Sequence, residues 1–224
     1  MSYTIDLRTW RSPNFSERAS AIESIVVHSC EGVWPSPRVS SLPWLCNPAS
    51  RVSAHYYVCR NTEIFQLVDD EHEAWHAGAA LARFDNASSI GVECEHRSGQ
   101  NWPDAQKSAL AWLLRRLMAQ HHTPLAAVET HGQIAIKGPY KRKIDPTNWS
   151  HADFVRWRAR LTVTRYRAIA CASVFQDRRP DSPLALTISA GQIEVMDDLT
   201  SGYLHLESGA GFSPVSCWEV FDEH

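Results

Sequence analysis

Eleven histidines are spread over 224 residues, and two of them, with one aspartate, stand where a metal ion could be held. His28 closes the β-branched run SIVVH (24–28), which reads as a buried strand whose last side chain can project from a sheet edge into a cleft. His131 follows a short run at 127–130 that reads as another strand. Asp145 precedes Pro146, whose ring disfavours helical geometry at the residue before it and so predicts an extended Asp145. Two imidazoles and one carboxylate are the ligand set of a catalytic zinc, with the fourth position left to water. None of the spacings is a short-range metal motif, so residue type alone does not choose these three from eleven histidines. His55 and His76 offer the same ligand atoms. His55 sits in an apolar hairpin, where local packing or hydrogen bonding accounts for it. Cys30 is two residues from His28, and its place at a strand end reads as a buried thiol.

The elements that must position these groups are partly visible in the pattern. Residues 54–58 and 63–68 flank Arg60-Asn61-Thr62 and read as a hairpin. SIGVECE (89–95) alternates, placing Val92 and Cys94 on one face and Glu93 and Glu95 on the other. From Pro103 to about His121 the apolar positions Leu110, Leu113, Leu114, Leu117 and Met118 form a helical stripe, and Pro103 suits a first turn. His121 and His122 then fall at a helix end, where the dipole favours them. A second helix is expected over 153–160. The stretch 34–50 holds four prolines and predicts a long loop or a short irregular helix. Strands interleaved with helices predict an α/β domain, a mixed sheet flanked by helices, over residues 1–160.

After residue 165 the character changes. Short β-type runs at 167–174, 184–188, 192–196, 203–206 and 212–218 are punctuated by Gly191, Gly202, Gly209 and Gly211, predicting a small all-β barrel of about five strands over 166–224. Charge divides at the same place. From Tyr166 onward there are three basic and nine acidic residues, against 19 and 16 before it. The overall net charge of −3 speaks against a nucleic-acid partner. No apolar run is long enough for membrane insertion, and the opening MSYTIDLRTW lacks the basic and apolar regions of a secretory signal, predicting synthesis in the cytoplasm. Six cysteines without a C-x-x-C pair argue against a disulfide framework or a zinc knuckle, and most read as buried thiols.

Seven pieces occur in one order: IVVHSCEG (25–32), RVSAHYYV (51–58), EAWHAG (73–78), SSIGVECE (88–95), PDAQKSALAWLL (103–114), ETHGQIA (129–135) and KIDPTNW (143–149). The ordered set, covering roughly residues 20–155, resembles the type 2 N-acetylmuramoyl-L-alanine amidases, which include phage lysozyme-type amidases and are related to peptidoglycan recognition proteins. The resemblance implies that His28, His131 and Asp145 hold zinc and that Glu93 and Lys143 are catalytic. In other branches a tyrosine precedes the histidine of the SAHY-type piece, but Ala54 stands there, so the work is expected to fall on Glu93. Trp75 and His76 are the expected substrate contacts. Glu95 is expected to be solvated or supporting. The insertion IKGPYKR between His131 and Lys143 departs from the family pattern and predicts a bulged loop, whose basic residues could meet stem-peptide carboxylates.

The implied partner is peptidoglycan, and the implied reaction is hydrolysis of the bond between N-acetylmuramic acid and L-alanine. A phage or prophage lytic enzyme (an endolysin), acting on the wall after release, is the expected setting. A recycling amidase for muropeptides and a non-catalytic peptidoglycan-binding relative are the alternatives. Residues 191–221 loosely resemble bacterial Src-homology-3-like modules, which implies wall binding by the second domain.

Overall fold

The computed structural model describes residues 3–32, 37–78, 80, 83–137, 143–161, 164–168, 172–175, 184–189, 193–200, 203–206, 212–214 and 218–220. The chain divides into two compact units, Met1–Leu161 and Thr162–His224.

The first unit is built on a six-stranded sheet. Its strands are β1 (Ile5–Asp6), β3 (Ser24–Ser29), β4 (Tyr56–Val58), β5 (Ile64–Gln66), β7 (Ser89–Cys94) and β8 (Val128–Thr130), ordered β1-β5-β4-β7-β3-β8. All neighbours are parallel except the β4–β5 hairpin. Every residue of β3 is buried, as an interior parallel strand covered on both faces requires. Its β-branched Ile25, Val26 and Val27 are completely enclosed. Two pieces fall outside the periodic signals of the sequence: β2 (Phe15–Glu17) and β6 (His72–Ala74), which pair antiparallel as a separate ribbon.

Helix α2 (Asp104–His121) buries the predicted stripe, with Leu110, Leu113, Leu114 and Leu117 completely enclosed. Truncating one such leucine to alanine costs ~2–5 kcal/mol, because the sheet beneath cannot collapse into the void. Gln106 fixes the helix against the sheet by donating its Nε2 to the carbonyls of Val58 (3.1 Å) and Glu95 (2.9 Å). His121 does more than face a helix end: its Nε2 lies 2.7 Å from a carboxylate oxygen of buried Asp70.

The proline-rich stretch contains α1 (Pro37–Leu45), with Pro43 inside it, and a 3-10 turn at Pro48–Ser50. Helix α4 runs over His151–Arg158 behind Ser150, whose side chain accepts from Asp153 N. The expected strand at 127–130 is present as β8, and His131, directly after it, opens helix α3 (His131–Lys137), which takes in the start of the insertion that was expected to form a bulged loop. Residues 138–142, the rest of the insertion, lie outside the described residues.

Among the described residues the regular elements of the second unit are all strands. Strands β9 (Thr164–Ala168), β10 (Ala172–Phe175), β11 (Leu184–Ile188), β12 (Ile193–Thr200), β13 (Tyr203–Leu206), β14 (Phe212–Pro214) and β15 (Trp218–Val220) form one antiparallel sheet, ordered β11-β10-β14-β13-β12-β9-β15. Among the described residues seven strands stand where five were expected, because the first and last predicted runs each reach into two. Among the described residues the sheet runs from β11 to β15 without a pair that closes it into a barrel.

Candidate metal centre and cleft

Parallel pairing brings the chemistry to one end of the sheet. In the β3–β7 register His28 is the partner of Glu93, and in the β3–β8 register Val27 is the partner of Thr130, so His131 follows at the neighbouring level. Carboxyl ends of parallel strands are where open α/β sheets present their ligand sites.

Nδ1 of His28 lies 3.3 Å from Oδ2 of Asp145, and Nδ1 of His131 lies 3.1 Å from the same oxygen. The three ligand atoms lie within 4.8 Å of one another. Four-coordinate zinc with bonds of ~2 Å spaces its donor atoms ~3.3 Å apart, so the separations fit one ion among them. His28 and His131 are buried, and the Asp145 side chain is 13% exposed, which leaves the set facing the cleft. Burial pushes the His28 imidazole down to about 4, assisted by the neighbouring His131 and opposed by Asp145. Burial alone would raise the Asp145 carboxyl, but its close contacts with the His131 and His28 imidazoles outweigh it and hold the group well below the usual carboxylate range. A neutral imidazole and an ionised carboxylate are the forms that ligate a metal.

The segment carrying Asp145 is tied to the end of β3. Thr147 N donates to Ser29 Oγ at 3.1 Å, and Thr147 Oγ1 donates to Glu31 Oε1 at 2.6 Å. Ser29 Oγ donates to the same Glu31 oxygen (2.7 Å), while Ser98 N donates to Oε2 (2.7 Å). Glu31 thus joins three loops beside the candidate ligands, a role that its place after His28 does not reveal in the sequence.

A cleft of about 390 Å³ opens over the centre. Its polar lining includes Glu93 and Lys143, and its apolar lining includes Trp44, Leu45, Val52 and Trp75. Oε2 of Glu93 is sealed from solvent without a hydrogen-bond partner. Burial and the nearby Asp145 charge push this carboxyl up from 4.5 to about 8, while the Lys143 charge works the other way. A buried carboxylate oxygen without a partner beside a cleft is poised to accept a proton from something that enters. Glu95 lies away from this chemistry: it is buried, and its Oε2 accepts from Arg60 N at 2.9 Å.

The remaining sequence candidates are placed as follows. Trp75 lines the cleft with its Nε1 donating to Ser16 Oγ at 2.8 Å. His76 also lines it, with Nδ1 3.0 Å from His28 Nε2 and Nε2 3.2 Å from Ser89 Oγ. His55 is fully buried, its Nδ1 accepting from Gly91 N and its Nε2 2.9 Å from the Arg18 guanidinium. Cys30 is half-buried beside the Tyr57 hydroxyl at 3.4 Å, and it forms no disulfide, nor do Cys46, Cys59 and Cys94. Cys171 and Cys217 lie outside the described residues. Pattern reading missed Trp44, 54% exposed on the cleft, and Asn86, whose Oδ1 accepts from the backbone N–H groups of His76, Ala77 and Gly78 and fixes the turn that follows β6. Only the folded chain brings those groups together.

Known proteins resemble this chain in sequence and in fold. N-acetylmuramoyl-L-alanine amidase A of Achromobacter lyticus is 30% identical over 131 residues, 57% of this chain and 65% of the relative. A solved structure described as a selenomethionine derivative of AmpD superposes with a TM-score of 0.58 at 25% identity, over 72% of this chain and 100% of the other. The amidase AmiD from E. coli, solved in complex with the substrate anhydro-N-acetylmuramic acid-L-Ala-D-gamma-Glu-L-Lys, superposes with a TM-score of 0.51 at 27% identity, over 66% of this chain and 65% of that one. The chain spans less than two thirds of the length of the first relatives it matches in sequence. Residues 18–148, more than half of the chain, match the N-acetylmuramoyl-L-alanine amidase family (Amidase_2), and the chain belongs to that family.

Proposed function

We propose that this chain hydrolyses the amide bond between N-acetylmuramic acid and L-alanine in peptidoglycan, using zinc held by His28, His131 and Asp145. The carrying observation is the convergence of three ligand atoms within 4.8 Å beside the partnerless Oε2 of Glu93. Bound there, zinc would supply a Lewis acid and lower the pKa of water toward ~7.

The residues divide the remaining work. Glu93 Oε2 takes a proton from the attacking water and then delivers it to the departing alanine nitrogen, so that water is added across the amide and the carbon–nitrogen bond breaks. The Lys143 ammonium faces the oxygen that gains charge as the amide carbon becomes tetrahedral. Trp75, pinned through its Nε1, offers an apolar face to the muramoyl group or the stem peptide. The acidic second unit, proposed to be an Src-homology-3-like module, would engage wall peptides rather than be drawn to the wall by charge.

Release onto intact wall, as by a phage or prophage lytic enzyme, is the favoured setting. A second reading, hydrolysis of small anhydromuropeptides, is supported by the likeness to AmiD in complex with an anhydromuropeptide. Mass spectrometry of products from purified sacculi and from an anhydromuropeptide separates the two. Free stem peptides starting at L-alanine are expected, lost on chelation and restored by zinc. Full activity in metal-free protein sinks the reading.

A further inference from the structure

We infer that His76 is a positioning residue that sets the tautomer of His28, through a hydrogen-bond relay anchored at the Asp85 backbone carbonyl. The inference rests on the zinc site proposed above, but the relay can be reasoned from its far end without any metal.

A carbonyl oxygen only accepts. The Ser89 hydroxyl donates to the Asp85 carbonyl, which uses the single hydroxyl hydrogen. Toward His76, Ser89 Oγ can then only accept, so the His76 Nε2 at 3.2 Å must carry the hydrogen. A neutral imidazole protonated at Nε2 has a bare Nδ1, and that atom lies 3.0 Å from His28 Nε2. His28 must therefore donate from Nε2, which leaves its own Nδ1 bare. Nδ1 is the atom that faces Asp145 and the candidate metal position.

The fold makes room for the relay at one place. A Cβ on Gly91 would stand 2.4 Å from His76 Cγ and 2.7 Å from its Cδ2 and Nδ1. Gly91 is the β-sheet neighbour of Val26, two residues before His28, so the His76 ring lies over the strand backbone beside the ligand. The two histidine rings meet edge to face, with centroids 5.1 Å apart. Both His76 nitrogens are thereby occupied by protein partners, and a substrate contact would have to break one of them. The second ring nitrogen of a metal-bound histidine commonly donates to an oriented acceptor, and removing that acceptor typically lowers metal affinity by about 10- to 100-fold.

His76→Asn and His76→Leu are the informative pair, since the side chains share a shape and only Asn keeps an acceptor near the Nδ1 position. Zinc affinity of the full chain, measured by competition with a chromophoric chelator, is expected to fall by about 10- to 100-fold in His76→Leu and to recover most of that loss in His76→Asn. Equal affinity in the two variants overturns the relay. Long-range proton–nitrogen NMR on the wild-type chain decides the matter even where neither variant folds. Both histidines should carry hydrogen on Nε2, and a hydrogen on His76 Nδ1 overturns the inference. Failure of wild-type chain to bind zinc would instead remove the metal site, while the same spectra of metal-free protein would still test the relay.

Discussion

His131 and Asp145 are held together twice: Nδ1 of the histidine lies 3.1 Å from the aspartate Oδ2, and the backbone N–H of the next residue, Gly132, donates to the Asp145 carbonyl at 2.6 Å. The first N–H groups of a helix have no partner within it. Here the loop that carries Asp145 supplies one for α3, so the helix start and this loop stabilise each other. An added Cβ at Gly132 would stand 3.1 Å from that carbonyl oxygen and 3.2–3.3 Å from Ile144, close enough that the loop must give by a few tenths of an ångström. Gly132→Ala should therefore lower zinc affinity by about 10-fold while helix content is kept, since alanine is the better helix former. Chelator competition with circular dichroism checks both, and unchanged affinity would show that the loop absorbs the methyl group.

Glu93 should matter for turnover and not for metal. Glu93→Gln keeps the shape but cannot accept a proton at Oε2, so a loss of at least ~100-fold in rate is expected. Zinc content, read by elemental analysis, should equal that of wild type. A near-normal rate would assign the base elsewhere, and Glu95 is a poor substitute because its Oε2 is already bound to Arg60 N.

The same substitution has a consequence for stability in the metal-free protein. Folding raises the Glu93 carboxyl from 4.5 to about 8, so the folded state binds this proton more tightly than the unfolded chain. The resulting contribution is whole below pH 4.5 and lost as pH rises through 8. At its steepest the loss approaches ~1.4 kcal/mol per pH unit for one proton. Groups common to both proteins cancel in the difference, so metal-free Glu93→Gln should gain on wild type between pH 5 and 8 in urea denaturation. A difference independent of pH would show that Glu93 ionises normally in the folded chain.

Legibility in the sequence followed the range of the interactions involved. The buried β3 and the stripe of α2 depend on local periodicity and were readable within one or two residues. Strands β1, β2 and β6, two or three residues long, carry no periodicity to read. The ligand set was open from residue types and was selected by the ordered motifs. What hid His131's place at a helix start was a tertiary acceptor, the Asp145 carbonyl, 13 residues beyond the glycine that uses it. Arg18 shows the same blindness. Its guanidinium donates to backbone carbonyls at Asp70, His72, Ala87 and Ser89 and meets His55, binding the turns behind the cleft, yet it stands in an unremarkable polar stretch.

The last prediction concerns the division after Leu161. That residue is 1% exposed and ends the first unit, following α4 with its N-cap at Ser150. The six-stranded sheet, the helices and all the proposed site residues belong to Met1–Leu161. A fragment of residues 1–161 should therefore fold, bind zinc and cleave a small muropeptide at a rate within a few-fold of the full chain. On intact sacculi its rate should fall much further, because a tethered wall-binding module raises the local concentration of the catalytic unit, by as much as ~10²-fold or more in avidity. Co-sedimentation of residues 162–224 with purified wall tests the other half. Wall binding there, together with selective loss of sacculus activity in the short fragment, supports targeting. Equal loss on both substrates, or a 1–161 fragment that does not fold, would instead make the second unit a structural support of the first.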